Sequence, residues 1–130
     1  MQQSKELIAW CAGLFDGEGN VNYAQYKVHK TGGKKWNVGM EIAMVHLETI
    51  HHFYNIIKLG TIKYKHNGGL GNKPQWRWRC GHQQALSVAK LLYPYSLTKR
   101  PKLLKIINHY EFKKPIGTLR EKFDFDNKKN

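Results

Sequence analysis

Between Trp10 and Tyr23 the sequence WCAGLFDGEGNVNY changes its repeat. Upstream, Leu7, Ile8, Cys11, Leu14 and Phe15 recur at helical spacing, and Ser4 stands where such a helix takes its N-cap. Downstream, NVNYAQYKVH alternates, as a strand does. Gly13, Gly17 and Gly19 lie at the changeover. Glycine tolerates the backbone angles by which a chain leaves a helix, so the helix is expected to run from Ser4 through Leu14 and to end at these glycines. Two acids, Asp16 and Glu18, sit among them. A carboxylate near a helix C-terminus meets the negative end of the macrodipole, so the pair calls for a cation or for hydrogen-bond donors.

The rest of the chain repeats the helix-then-two-strands pattern. After KTGGKK, a hairpin-like loop, WNVGMEIAM alternates cleanly, and LETIHHFYNIIKLG carries Leu47, Ile50, Tyr54 and Ile57 at helical spacing, with Gly60 as its stop. TIKYKHN and QWRWRC alternate again across the connection GGLGNKP. HQQALSVAKLLYPY and KRPKLLKIINHYEF read as helices, the second with Pro101 in its first turn, where proline is tolerated. The expected fold is α+β, with an α-β-β-α-β-β-α core and one further helix. One domain is expected over residues 1–116, followed by a polar tail over 117–130; 130 residues are too few for two ordinary domains.

Alternation assigns the strand residues to faces. Val38, Met40, Ile42, Met44, Ile62, Tyr64, Trp76 and Trp78 form an apolar layer suited to burial under helices. The other face presents Lys35, Asn37, Lys63, Lys65, Gln75, Arg77 and Arg79, with Glu41 as its acid. An ordinary solvated face mixes both signs, whereas this one is basic and holds amide and guanidinium groups that can pair with base edges. Asn20 and Asn22 of the first strand join the candidate contacts. The whole chain agrees: 22 Lys and Arg against 9 Asp and Glu give a net charge of +13, which attracts polyanions. With 41% hydrophobic and 12% aromatic residues, it is not the composition of a disordered basic tail. No long apolar span suggests a membrane.

Cys11 and Cys80 belong to no CxxC pair, so neither a zinc ribbon nor a disulfide scaffold is indicated, and a reducing interior is the natural setting. The histidines of HLETIHHF lack the HExxH pattern of a zinc protease, and an HNH-type nuclease would need a Cys and Asn framework that is missing.

With this element order and a first helix ending in CAGLFDGEG, residues 11–19, the chain resembles the LAGLIDADG homing endonucleases over roughly residues 5 to 112. Cys11 stands in place of the leading leucine, and Glu18 stands where the family uses Asp or Glu. The resemblance implies a saddle-shaped antiparallel sheet covered by helices on one face. It also implies that Glu18, helped by the Gly17 carbonyl, binds Mg²⁺, for which Mn²⁺ or Ca²⁺ can substitute in binding. Lys99, with Arg100 as its neighbour, would stabilise charge developing on phosphate. His46, just after the second strand, would position water or take part in proton transfer. Ala12, Gly13 and Asp16 would lie at the interface between two motif helices, Asp16 as a hydrogen-bonding group at the helix junction. Only one motif is present, so the resemblance implies a homodimer that cuts both strands of a long pseudo-palindromic double-stranded DNA site, with no small-molecule cofactor. The alternative is a nucleic-acid binder of this fold that does not cut, a group I intron maturase or a regulator. In either reading the setting would be an organelle or a phage or bacterial cytoplasm, with an intron as one host element.

Overall fold

The structure, a computed structural model, describes residues 4–65 and 74–111. Most of the GGLGNKP connection, the expected domain end at 116 and the polar tail lie outside the described residues. The element order is α1 (Lys5–Glu18), β1 (Gly19–Lys27), β2 (Lys34–Met44), α2 (Leu47–Ile57), β3 (Thr61–Lys65), β4 (Gln75–Gly81), α3 (His82–Leu92), a short 3₁₀ turn (Tyr93–Tyr95) and α4 (Arg100–Glu111). This is the order read from the periodicity.

Ser4 caps α1, its Oγ accepting the Leu7 N–H at 3.1 Å. The helix continues past Leu14 to Glu18, so Gly13 and Gly17 do not end it; they lie within it. Gly19 is the C-cap, but in extended backbone (φ −84°) that any residue adopts. It is glycine because a Cβ there would collide with the Phe15 ring. The stop of α2 also differs from expectation. Lys58 takes the left-handed conformation at φ 61°, and Gly60 comes later, at φ 91°, where a Cβ would press on the Trp78 indole and the Arg79 carbonyl. α3 runs into the 3₁₀ turn at Pro94, whose missing N–H cannot continue an α-helix.

The four strands form one antiparallel sheet in the order β1-β2-β4-β3. Ile42 pairs with Trp78 and Met40 with Cys80, which puts the apolar residues of the two central strands on one face. The helices cover that face: Val38, Met40, Ile42 and Trp78 are buried against Phe15, Ile50, Phe53, Val88 and Leu92. Trp78 is the centre of the core, edge-on to Phe53 with ring centroids 4.7 Å apart, its Nε1–H donated to the Leu59 carbonyl at 2.8 Å. A fully buried side chain of this size stabilises the fold by about 2–3 kcal/mol. The apolar layer is not uniform, however. Met44, Ile62 and Trp76 are only partly buried, and Tyr64 on the edge strand is 54% exposed, resting on Trp76. Cys11 and Cys80 are free and buried, and burial pushes both thiols up to about 12, so neither is a reactive thiolate. Among the described residues no helix is long and apolar enough to cross a membrane.

Candidate functional site

The face of the sheet that the helices leave open is organised in rows. Asn20, Glu41, Arg79 and Thr61 are direct partners across all four strands. The next row is Ala43, Arg77 and Lys63, followed by Gln75 with Lys65. On the other side come Asn22, Gly39 and Gly81, then Ala24 with Asn37, then Tyr26 with Lys35. All ten residues expected on the open face therefore lie there. Thr61 and Tyr26 were missed, although the alternation of TIKYK already set Thr61 in phase with Lys63. Gly39 and Gly81 leave the centre of this face without side chains, and a recess of about 290 Å³ opens there, bordered by Asn37, Thr61, Arg79 and His82.

Five bases against Glu41 make the open face positive. Glu41 does not neutralise its cross-strand partner Arg79; among the described residues the ion pair lies elsewhere, between Lys90 and Glu111 at 2.6 Å. Arg77 Nε is buried without a hydrogen-bond partner among the described residues. A buried donor left so is costly unless something else accepts from it.

At the end of α1 the two acids part company. Asp16 turns to the loop before α4: Ser96 Oγ donates to Oδ1 at 2.5 Å, Lys99 N to Oδ1 at 3.1 Å and Leu97 N to Oδ2 at 2.7 Å. Burial alone would raise its pKa, but these bonds, with a contribution from the Thr98 backbone, hold the carboxyl below its usual value. Lys99 returns the contact, its Nζ donating to the Asp16 carbonyl at 2.9 Å. The acid at the helix end is thus answered by donors and an ammonium from the same chain. Asp16 is a junction residue, but the junction is internal.

Glu18 is the last residue of α1 and is exposed. No hydrogen bond or ion pair holds its carboxylate among the described residues, where no group of three His, Cys, Asp or Glu could hold a metal ion. One carboxylate and the nearby Gly17 carbonyl, at a helix end where carbonyls lack intrahelical donors, are hard oxygen donors. They suit Mg²⁺, which keeps several waters and takes phosphate oxygens for the rest of its shell. Two residues after Glu18, Asn20 begins the open face, in the row that crosses Glu41 to Arg79.

The expected interface residues separate. Ala12 is 1% exposed in the chain's own core, so its methyl is not available to a partner, a correction to the sequence reading. Gly13 and Gly17 are exposed, and a Cβ at either would meet nothing within 4 Å. His46 is the N-cap of α2; its Nδ1 accepts the Thr49 N–H at 3.3 Å and lies 2.7 Å from the Thr49 hydroxyl. It borders a recess with Trp10, Glu48 and His52, and no hydrogen bond joins it to Glu18.

No family model and no curated protein matches the sequence. The fold does match solved structures. I-CvuI, a homing endonuclease in complex with its target in the presence of Ca, is 19% identical with a TM-score of 0.63; the match covers 76% of this chain and 62% of that one. The group I intron-encoded homing endonuclease I-CeuI, complexed with DNA, is 18% identical with a TM-score of 0.59 over 82% of this chain and 53% of that one. The LAGLIDADG homing endonuclease I-GzeII, in complex with a DNA target, is 15% identical with a TM-score of 0.61 over 78% of this chain and 35% of that one. The chain therefore spans less than two thirds of the length of these relatives, and the fold is the one that residues 11–19 implied.

Proposed function

The chain has the LAGLIDADG homing endonuclease fold, and from that premise we propose that it is a site-specific DNA endonuclease acting as a homodimer. The observation that carries this reading is the position of Glu18: an exposed carboxylate with no partner among the described residues, at the end of the helix that runs directly into β1 of the open, basic sheet face. A protein that only bound DNA would gain nothing from an acid there, since it repels phosphate.

In this reading the open face lies along the duplex. Lys35, Lys63 and Lys65 grip phosphates, Arg77 and Arg79 read base edges, and Asn20, Asn22, Asn37, Glu41 and Gln75 add polar contacts. β2, with 11 residues, reaches about 36 Å, close to ten base pairs, so two copies cover roughly 20 base pairs. The exposed edge of α1 at Gly13 and Gly17 lets a second α1 approach closely and brings two Glu18 carboxylates near the two scissile phosphates.

Glu18 and the Gly17 carbonyl would hold Mg²⁺. That ion would neutralise phosphate charge and lower the pKa of a bound water. The protein's own groups do the rest. The Lys99 ammonium has three donors, of which the Asp16 carbonyl takes one, leaving two for phosphate or water. His46, with Nδ1 engaged by Thr49, keeps Nε2 to orient a water or take part in proton transfer. The test is selection of cleaved sites from a randomised DNA library in Mg²⁺ against EDTA, followed by footprinting. Metal-dependent double-strand cuts with about 20 protected base pairs support the reading; protection of fewer than about 12 without cutting supports a monomeric binder.

A further inference from the structure

We propose that Ser96 is a positioning residue for strand cleavage, acting through Asp16 to fix the Lys99 ammonium relative to the Glu18 carboxylate. The inference rests on the endonuclease reading above. Ser96 is 2% exposed and is the buried polar residue among the described residues. It follows the 3₁₀ turn, its backbone N–H accepted by Tyr93 at 3.3 Å, and its hydroxyl proton goes to Asp16, 80 residues earlier.

The bonds around it close a ring. Ser96 Oγ and the Lys99 backbone N–H share Oδ1 of Asp16, Leu97 N–H takes Oδ2, and the Lys99 side chain comes back to the Asp16 carbonyl. A lysine stem is long and flexible, so its ammonium is located by what anchors it at both ends. Here both anchors are on Asp16. The Ser96 hydroxyl is the side-chain donor that fixes the orientation of this carboxylate; the other two donors are backbone groups whose direction follows the loop. Glu18 is two residues further along the same last turn of α1, so a rotation of the Asp16 carboxylate moves the backbone anchor of Lys99, and with it the reach of the ammonium, relative to the helix that carries Glu18. Displacement by about 1 Å at a reacting centre costs on the order of 10²-fold in rate. Ser96 touches neither phosphate nor metal in this account.

The test compares the full-length chain with Ser96→Ala, Lys99→Met and the double variant on a site selected by the wild type. Single-turnover cleavage in Mg²⁺, DNA affinity in Ca²⁺ and thermal melting are recorded for each. Ser96→Ala is expected to slow cleavage at saturating protein by about tenfold or more, with DNA affinity within about twofold of wild type and the fold intact at the assay temperature. The double variant is expected to be no slower than Lys99→Met alone, because the serine acts through the lysine. Cleavage by Ser96→Ala at the wild-type rate, or losses that multiply in the double variant, overturn the proposal. Should Ser96→Ala not fold, Ser96→Cys, which keeps a donor at the same position but a weaker one on a somewhat larger atom, is judged by the same criteria. A wild-type protein that cuts no DNA overturns the endonuclease reading itself, and the role of Ser96 with it.

Discussion

Asp16 and Lys99 exchange charges between the ends of two helices. The Asp16 carboxylate, near the C-terminus of α1, accepts the Lys99 backbone N–H just before α4 begins, and the Lys99 ammonium caps the Asp16 carbonyl in return. Each charge sits at the end of the other helix, where the macrodipole favours it. An acid that is unfavourable on its own helix becomes favourable at the junction of two.

Replacing Asp16 by Ala should therefore damage the fold before it damages chemistry. The backbone donors of Leu97 and Lys99 and the buried Ser96 hydroxyl lose their acceptor, at a cost of about 2–3 kcal/mol in chemical unfolding. The pH dependence has a definite sign. Because the folded-state pKa is lowered, the stabilisation is present above the unfolded value of about 4 and is lost as pH falls through the folded value. Urea denaturation from pH 7 down to pH 3 should show a steeper loss for wild type than for Asp16→Asn, and parallel curves would refute this.

Gly13 separates the single chain from the dimer. In the chain alone a Cβ there meets nothing within 4 Å, so Gly13→Ala should stabilise the monomer fold by about 0.5–1 kcal/mol through helix propensity. In a dimer packed through α1, Gly13→Leu should weaken association by an order of magnitude or more while leaving the circular dichroism spectrum unchanged. Sedimentation equilibrium measures this, and an unchanged dimer constant would move the interface elsewhere.

Arginines on the open face should behave differently from lysines outside it. Arg77→Ala or Arg79→Ala should relax preference at one position of each half-site and cost about 1–3 kcal/mol. Lys102→Ala, exposed on α4, should weaken all DNAs alike and lower the salt slope by about one. A uniform loss from the arginines would mean that they only grip phosphate.

The sequence carried the element order and both faces of the sheet because period-two alternation in β2, β3 and β4 is strong and is locked by pairing such as Ile42 with Trp78. It carried helix ends poorly. Gly13 and Gly17 looked like stops, but propensity is a weak prior and α1 is held by Ile8, Cys11, Ala12 and Phe15 packing into the core as far as its last turn. The same burial removed Ala12 from the expected interface. Ser96 left no local signal, since its partner lies 80 residues away and only the folded chain joins them. His46 was legible as a residue just after β2, yet its capping bond to Thr49 appears only once α2 is built.

Glu18→Gln tests the central claim most directly. Glutamine keeps the length and shape of the side chain and removes the charge that would hold Mg²⁺, so the purified variant should bind the selected DNA site as tightly as wild type or more tightly, because a carboxylate near phosphate repels it when no metal lies between. Double-strand cleavage in Mg²⁺ should fall by several orders of magnitude, on the scale of losing a metal-ion mechanism. A Glu18→Gln homodimer, free of contaminating nuclease, that cuts both strands at the wild-type rate would contradict both the role of this acid and the endonuclease mechanism built on it.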